Sequence, residues 1–183
     1  MKTEILFPEV GNLCGDLMNI RYLHQCRPDM QVVETDLKTR PAFLDGGVDL
    51  VYIGTATERG LELMAQALLP YRTQLEQFVD GGGHMLATGN ALDVLGEYVQ
   101  ADNGMRFDGL GLLPTHAEYH MMTRHNSFFL GSYAGGIEIV GFKSLFGHTY
   151  GPDDPGSGLF RVQRGVGRCP AGAQPALYQG TAA

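Results

Sequence analysis

Basic residues are scarce in this sequence: 13 lysines and arginines stand against 20 aspartates and glutamates, a formal net charge of −7. An acidic surface argues against nucleic acid as a partner, because phosphate binding needs a basic face. Long apolar runs are missing as well. None reaches the roughly 18–20 residues a helix needs to cross a bilayer, so no membrane association is expected. The N-terminal stretch from Met1 to Pro8 enters a short apolar segment interrupted by Glu4 and has no small-residue cleavage site, so no signal peptide is predicted. Cysteine is sparse and odd in number. Cys14, Cys26 and Cys169 lack metal-ligand spacing, which predicts free or buried thiols and a reducing, cytoplasmic setting. What is present is 183 residues, 44% hydrophobic and 18% charged, enough for one compact domain and too short for two large ones.

The first hundred residues alternate strand-like and helix-like segments. Thr3–Phe7 reads as a strand, Pro8–Gly15 as a loop, and Asp16 as the cap of a helix running to about Cys26. Met30–Thr35 is β-branched, and Asp49–Gly54 is nearly all apolar, as a parallel strand covered on both faces would be. From Glu58 to Asp80, apolar residues recur at helical spacing, with Pro70 expected to kink or split the helix. Gly81-Gly82-Gly83 stops it, His84–Ala87 is a short strand and Ala91–Val99 a short helix. This order predicts an α/β domain with a doubly wound, mostly parallel sheet. After Gly104 the texture changes to shorter, partly antiparallel strands at Glu118–Thr123, Ser127–Leu130, Ile137–Phe142 and Leu159–Gln163. The domain is placed at 1–164, and Gly165–Ala183 is read as a loose, irregular tail.

In parallel α/β sheets, functional groups gather at the carboxyl ends of the strands. Three such places stand out: Asn12–Asn19, Gly54–Arg59 and Ala87–Gly96. Their residues resemble the class I glutamine amidotransferases, in particular the glutaminase domains of the cobyric acid synthase type and the glutaminase subunit of lipid II isoglutaminyl synthase. Leu13-Cys14-Gly15-Asp16-Leu17-Met18-Asn19-Ile20 matches Leu-Tyr-Gly-Asp-x-Gly-Asn-Ile, with Cys14 for tyrosine. Ile53–Arg59 matches Ile-Gly-Gly-Gly-x-Asp-Arg, Gly109–Leu112 matches the Gly-Leu-Gly-Leu junction, and Ile139–Tyr150 matches Val-Gly-Phe-Glu-x-His-x-Gly-x-Thr. The resemblance spans roughly residues 4 to 150 and implies a flavodoxin-like fold.

It also implies a chemistry. In that family a cysteine at a strained strand-to-helix elbow attacks the glutamine amide, a late histidine serves as base, and backbone N–H groups hold the oxyanion. Here the alignment places Gly89 at the nucleophile position. The oxyanion loop becomes Gly54-Thr55-Ala56, Asn90-Ala91-Leu92-Asp93 replaces Gly-Gly-Tyr-Gln, and no histidine follows His148. The resemblance therefore implies a stripped cleft with no catalytic residue. Its candidate lining residues are Gly54, Thr55, Arg59, Thr88, Gly89, Asn90 and His148, and no cofactor or metal is implied.

Other groups invite sharper readings. Cys14 faces the strand ends, but a small buried residue in place of tyrosine is the plainer expectation. Thr88 adjoins the elbow, yet its hydroxyl is inert without a placed base. His116 and His120, with His125 nearby, suggest a metal; on a strand, positions i and i+4 stand about 13 Å apart, too far for one zinc. His148 reads equally as a cleft residue or a surface histidine in a glycine-rich loop. The triple glycine lacks the Gly-Lys-Ser/Thr ending of a phosphate loop. Three functions remain open: a degenerate glutaminase subunit acting with a Mur ligase-like synthetase in cell-wall or cobyrinate-type amidation, an active glutaminase with an altered C-terminus, and a module that reuses the cleft to bind glutamine or a related small molecule.

Overall fold

The computed structural model describes residues 1–133, 136–152 and 161–169. The chain forms two compact units, Met1–Leu95 and Gly96–Thr181.

The first unit is an α/β layer structure. Strands β1 (Lys2–Leu6), β2 (Gln31–Thr35), β3 (Leu50–Ile53) and β4 (His84–Ala87) form one all-parallel sheet in the order β2-β1-β3-β4. Helix α1 (Met18–Cys26) turns Ile20 and Leu23 toward Ile5, Tyr52 and Leu86 on one face of the sheet, while Met18 and Tyr22 stay exposed. The opposite face carries Glu4, which is fully buried. Its carboxylate accepts bonds from the Thr35 hydroxyl and from the N–H groups of Ala42 and Phe43, at 2.6, 2.6 and 2.7 Å. Phe43 in turn meets Phe78 with ring centroids 5.7 Å apart. Both sheet faces are thus covered, which is why β3 tolerates an almost uninterrupted apolar run.

The long helical stretch is divided as Pro70 leads one to expect. Helix α2 (Glu58–Leu68) and helix α3 (Arg72–Asp80) are separated by a single 3₁₀ turn at Leu69–Tyr71. Leu61, Met64 and Leu68 recur along one side of α2 and are completely buried, each worth about 1.5–3 kcal/mol of transfer free energy. Thr57 caps α2 by accepting the Gly60 N–H at 3.2 Å.

The second unit holds two further sheets. One has the order β10-β7-β5-β6, built from β5 (Tyr98–Ala101), β6 (Arg106–Asp108), β7 (His116–Tyr119) and β10 (Gly147–Tyr150), with only the β5–β7 pairing parallel. The other is antiparallel, in the order β11-β8-β9, from β8 (His125–Tyr133), β9 (Ile137–Leu145) and β11 (Arg161–Arg164). Several expectations need correction here. The predicted helix at Ala91–Val99 is a 3₁₀ segment, Gly89–Leu95, and Tyr98–Val99 belong to β5. The aromatic and β-branched pair is recruited by a partner strand 18 positions later, His116 lying opposite Tyr98. The predicted strand Glu118–Thr123 begins earlier, at His116, and ends at Tyr119, where a turn closed by Thr123 N–H to the His120 carbonyl takes over. The predicted loose tail also starts too early. Arg168 and Cys169 are buried, and the Lys143 ammonium donates to the carbonyls of Gly167 and Arg168 at 2.5 and 3.1 Å. The remainder of that segment, 170–183, lies outside the described residues, as do 159–160 of the last predicted strand.

Candidate functional site

The carboxyl ends of β1, β3 and β4 bring three loops of the first unit together, and their polar groups bond to one another. At the centre is Asp16, which follows β1. Its Oδ2 accepts the Thr55 N–H at 2.5 Å and the Thr88 hydroxyl at 2.5 Å, and its Oδ1 accepts the Asn19 amide at 2.7 Å. Asp16 is therefore not the cap of α1, as its position in the sequence suggested. The Leu17 N–H is taken by Asn12 Oδ1 instead, at 3.0 Å. Below lies Tyr52, completely buried, with its hydroxyl 3.0 Å from the Asp16 carbonyl and 3.1 Å from Thr88 Oγ1. Burial pushes the Tyr52 phenol up, the Asp16 charge adds to this, and contacts with Thr88 and Asn19 offset part of it. The phenol stays a neutral hydrogen-bonding group at physiological pH.

Asn90 fastens the next residue of the β3 loop. Its side-chain oxygen accepts the Ala56 N–H at 3.1 Å and its amide donates to the Ala56 carbonyl at 2.8 Å, as a neighbouring strand would. Both backbone donors of Thr55-Ala56 are thus satisfied by side-chain oxygens of the same chain. Asp16 and Asn90 therefore occupy both N–H groups of this loop.

Gly89 sits where β4 gives way to the 3₁₀ segment, with φ +55°. That backbone conformation is strained for any residue with a side chain. A β-carbon placed there would also collide with Thr55 Oγ1 and lie 3.2 Å from Thr55 Cγ2. The Thr55 hydroxyl is anchored in that position by donating to the Thr88 carbonyl at 3.2 Å. Gly54 is required for a different reason: a side chain there would strike the Gly11 carbonyl, so the loops after β1 and β3 touch through backbone.

Of the residues singled out from sequence, Gly54, Thr55, Thr88, Gly89 and Asn90 come together at this strand-end cluster. Arg59 does not join them. It lies on the exposed side of α2 and pairs with Glu62 at 2.5 Å. His148 belongs to the second unit, on β10, and is buried rather than on a surface loop. Cys14 is exposed with φ +60°, and is not the small buried residue expected. Its neighbour Gly15 also has a positive φ, so the loop turns outward at this point. His116 and His120 face different acids, Glu118 at 3.6 Å and Asp102 at 3.5 Å. Among the described residues no group of three or more His, Cys, Asp or Glu side chains is arranged to hold a metal ion.

Asp16 and Asn19 lie in the segment Asn12–Asn19 picked out from sequence but were not among the candidate lining residues, and Tyr52 was not singled out at all. A signal for Tyr52 did exist. A phenol within an aliphatic buried strand must find a partner for its hydroxyl, and here it is the Asp16 loop. The sequence reading also left Thr88 without a base, whereas the structure brings a carboxylate to its hydroxyl. That same carboxylate oxygen also accepts the Thr55 N–H, so it is shared between two donors. The arrangement holds the hydroxyl in place more than it activates it.

In the second unit, His148 is held below its ordinary pKa by burial first, then by the Lys143 ammonium 3.5 Å from its Nδ1 and by His125, whose ring centroid is 4.9 Å away. The more distant His120 acts in the same direction, and only a backbone hydrogen bond from the Arg168 segment opposes them. The folded protein therefore binds this proton less readily than the unfolded chain. The stability of this unit should be fully present above about pH 6.5 and fall as pH drops below it toward the folded pKa. His148→Gln should flatten that decline, which urea melts at a series of pH values between 5 and 8 would register.

No helix among the described residues is long and apolar enough to cross a membrane. Searched against family models and against the curated proteins, the chain matches neither.

Proposed function

We propose that the first unit is a flavodoxin-like, glutaminase-type domain whose hydrolytic chemistry is silent, and that the protein serves a Mur ligase-like synthetase as a binding partner. The observation that carries this reading is the Gly89 turn. A positive φ at the end of a parallel strand, opening a helical segment, is the backbone an elbow nucleophile requires. Yet the position has no side chain, and the Thr55 hydroxyl fills the space one would use. The parallel order β2-β1-β3-β4, covered on both faces, and the convergence of loops at its carboxyl end support the same assignment.

The test is incubation of the purified protein with glutamine, alone and with a Mur ligase-like synthetase, while glutamate release is measured. The expected outcome is stable co-purification with the synthetase and no glutamate above the buffer background. Glutamate release that scales with protein concentration and disappears in Cys14→Ser or Thr88→Val would sink the proposal, since it would place a working nucleophile elsewhere in the cluster.

A further inference from the structure

The Asp16 carboxylate is bound as a ligand would be. Its three donors come from separate segments: the Thr55 N–H after β3, the Thr88 hydroxyl at the end of β4, and the Asn19 amide at the start of α1. Two of the three are 39 and 72 positions away in sequence, so the contacts are tertiary and not a local turn. The donors divide between the two oxygens, two on Oδ2 and one on Oδ1, with Tyr52 beneath them. A backbone N–H, a hydroxyl and a primary amide supply neutral donors in number for a singly charged, two-oxygen acceptor. All three of these donors are neutral, whereas a phosphate would favour lysine or arginine.

From this geometry we propose that the strand-end cradle of Thr55, Thr88 and Asn19 is a carboxylate-binding site, kept closed in the intact chain by the protein's own Asp16. A tethered carboxylate is present at an effective concentration in the millimolar range or above, so a weak free acid does not displace it. Removing the Asp16 side chain leaves the donors in place and opens the site to a small carboxylate such as formate or acetate. The inference does not depend on the glutaminase reading, which rests on Gly89 and the Thr55 hydroxyl. Glutamate release would end that reading and leave the cradle intact, and failure of carboxylate binding would do the reverse.

Asp16→Ala should be melted in sodium formate and in sodium chloride of equal ionic strength, beside the wild type and Asp16→Ala/Thr88→Val. Formate near saturation is expected to raise the Tm of Asp16→Ala by about 4 °C over chloride, through mass action on the folded state. The wild type, its site filled, and the double variant, one donor short, should show no such difference. Equal melting of Asp16→Ala in the two salts, or an equal formate effect in the wild type, would overturn the proposal. If Asp16→Ala folds in neither salt, Thr88→Val decides. Loss of that donor must speed hydrogen exchange at the Thr55 amide about tenfold while leaving Ile53 unchanged, and unaltered exchange at Thr55 overturns the proposal equally.

Discussion

Gly89→Cys, which places a thiol at the turn after β4, is expected to yield a less stable protein that still releases no glutamate. Two costs arise at once. A residue with a side chain at φ +55° is strained by about 1–2 kcal/mol. Its β-carbon also meets the Thr55 hydroxyl, and overpacking of this kind costs about 1–3 kcal/mol. The sum, about 2–5 kcal/mol, should appear in urea unfolding of Gly89→Cys. Adding Thr55→Gly removes the collision but not the backbone strain. The pair should therefore be non-additive, with Gly89→Cys costing about 1–3 kcal/mol less in the Thr55→Gly background. Additive behaviour would mean that the Thr55 side chain does not exclude one at position 89. Activity should stay absent even in the double variant. Asn90 continues to hold the Ala56 N–H and Asp16 the Thr55 N–H, so no free donor waits for an oxyanion. In this cluster the space beside position 89 and the two loop N–H groups are filled by different side chains, and emptying one does not free the others.

Loss of the Glu4 carboxylate should be the most damaging change in the first unit. Glu4→Ala would strand two buried donors, the Thr35 hydroxyl and the Phe43 N–H, and the half-buried N–H of Ala42. Each unsatisfied buried donor costs about 1–3 kcal/mol, and the variant also loses buried volume, so a decrease of about 3–5 kcal/mol is expected. That is a large part of the roughly 5–15 kcal/mol by which domains are stable. Glu4→Gln keeps one oxygen acceptor but turns an NH₂ toward a donor, and about 1–2 kcal/mol is expected from it. Equilibrium urea unfolding followed by far-ultraviolet circular dichroism would rank the two. A Glu4→Ala cost below about 1 kcal/mol would show that the segment from Ala42 to Asp45 is held by Phe43–Phe78 packing instead.

The first half of the fold was legible because its strands and helices carry their own patterns. The apolar run Leu50–Ile53 needs cover on both faces, Leu61, Met64 and Leu68 share one helical side, and Pro70 interrupts where its ring and missing N–H dictate. The second half was less legible because its short strands take their conformation from their partners. Tyr98–Val99 could extend a helix by local pattern, and only pairing with His116–Ala117 makes them a strand.

The cluster at the strand ends divides in the same way. Gly54, Thr55, Thr88, Gly89 and Asn90 could be picked out in advance because strand ends are where loops of a parallel sheet converge, and a missing side chain at Gly89 is visible in one letter. Asp16 lies in the segment Asn12–Asn19 picked out on the same ground, but its role could not be read, since an aspartate just before a helix reads locally as a cap. By itself, then, the sequence determined that β3 is buried on both faces, that the helix after it breaks at Pro70, and that position 89 has no nucleophile. Only the tertiary structure decided what became of the space and the donors. It folds the Thr55 hydroxyl into the place a side chain at 89 would need, and it turns one oxygen of Asp16 to residues 39 and 72 positions later. Local pattern cannot reveal this, because a carboxylate is stabilised by whichever donors the fold brings within hydrogen-bonding distance, however far apart they lie in the chain.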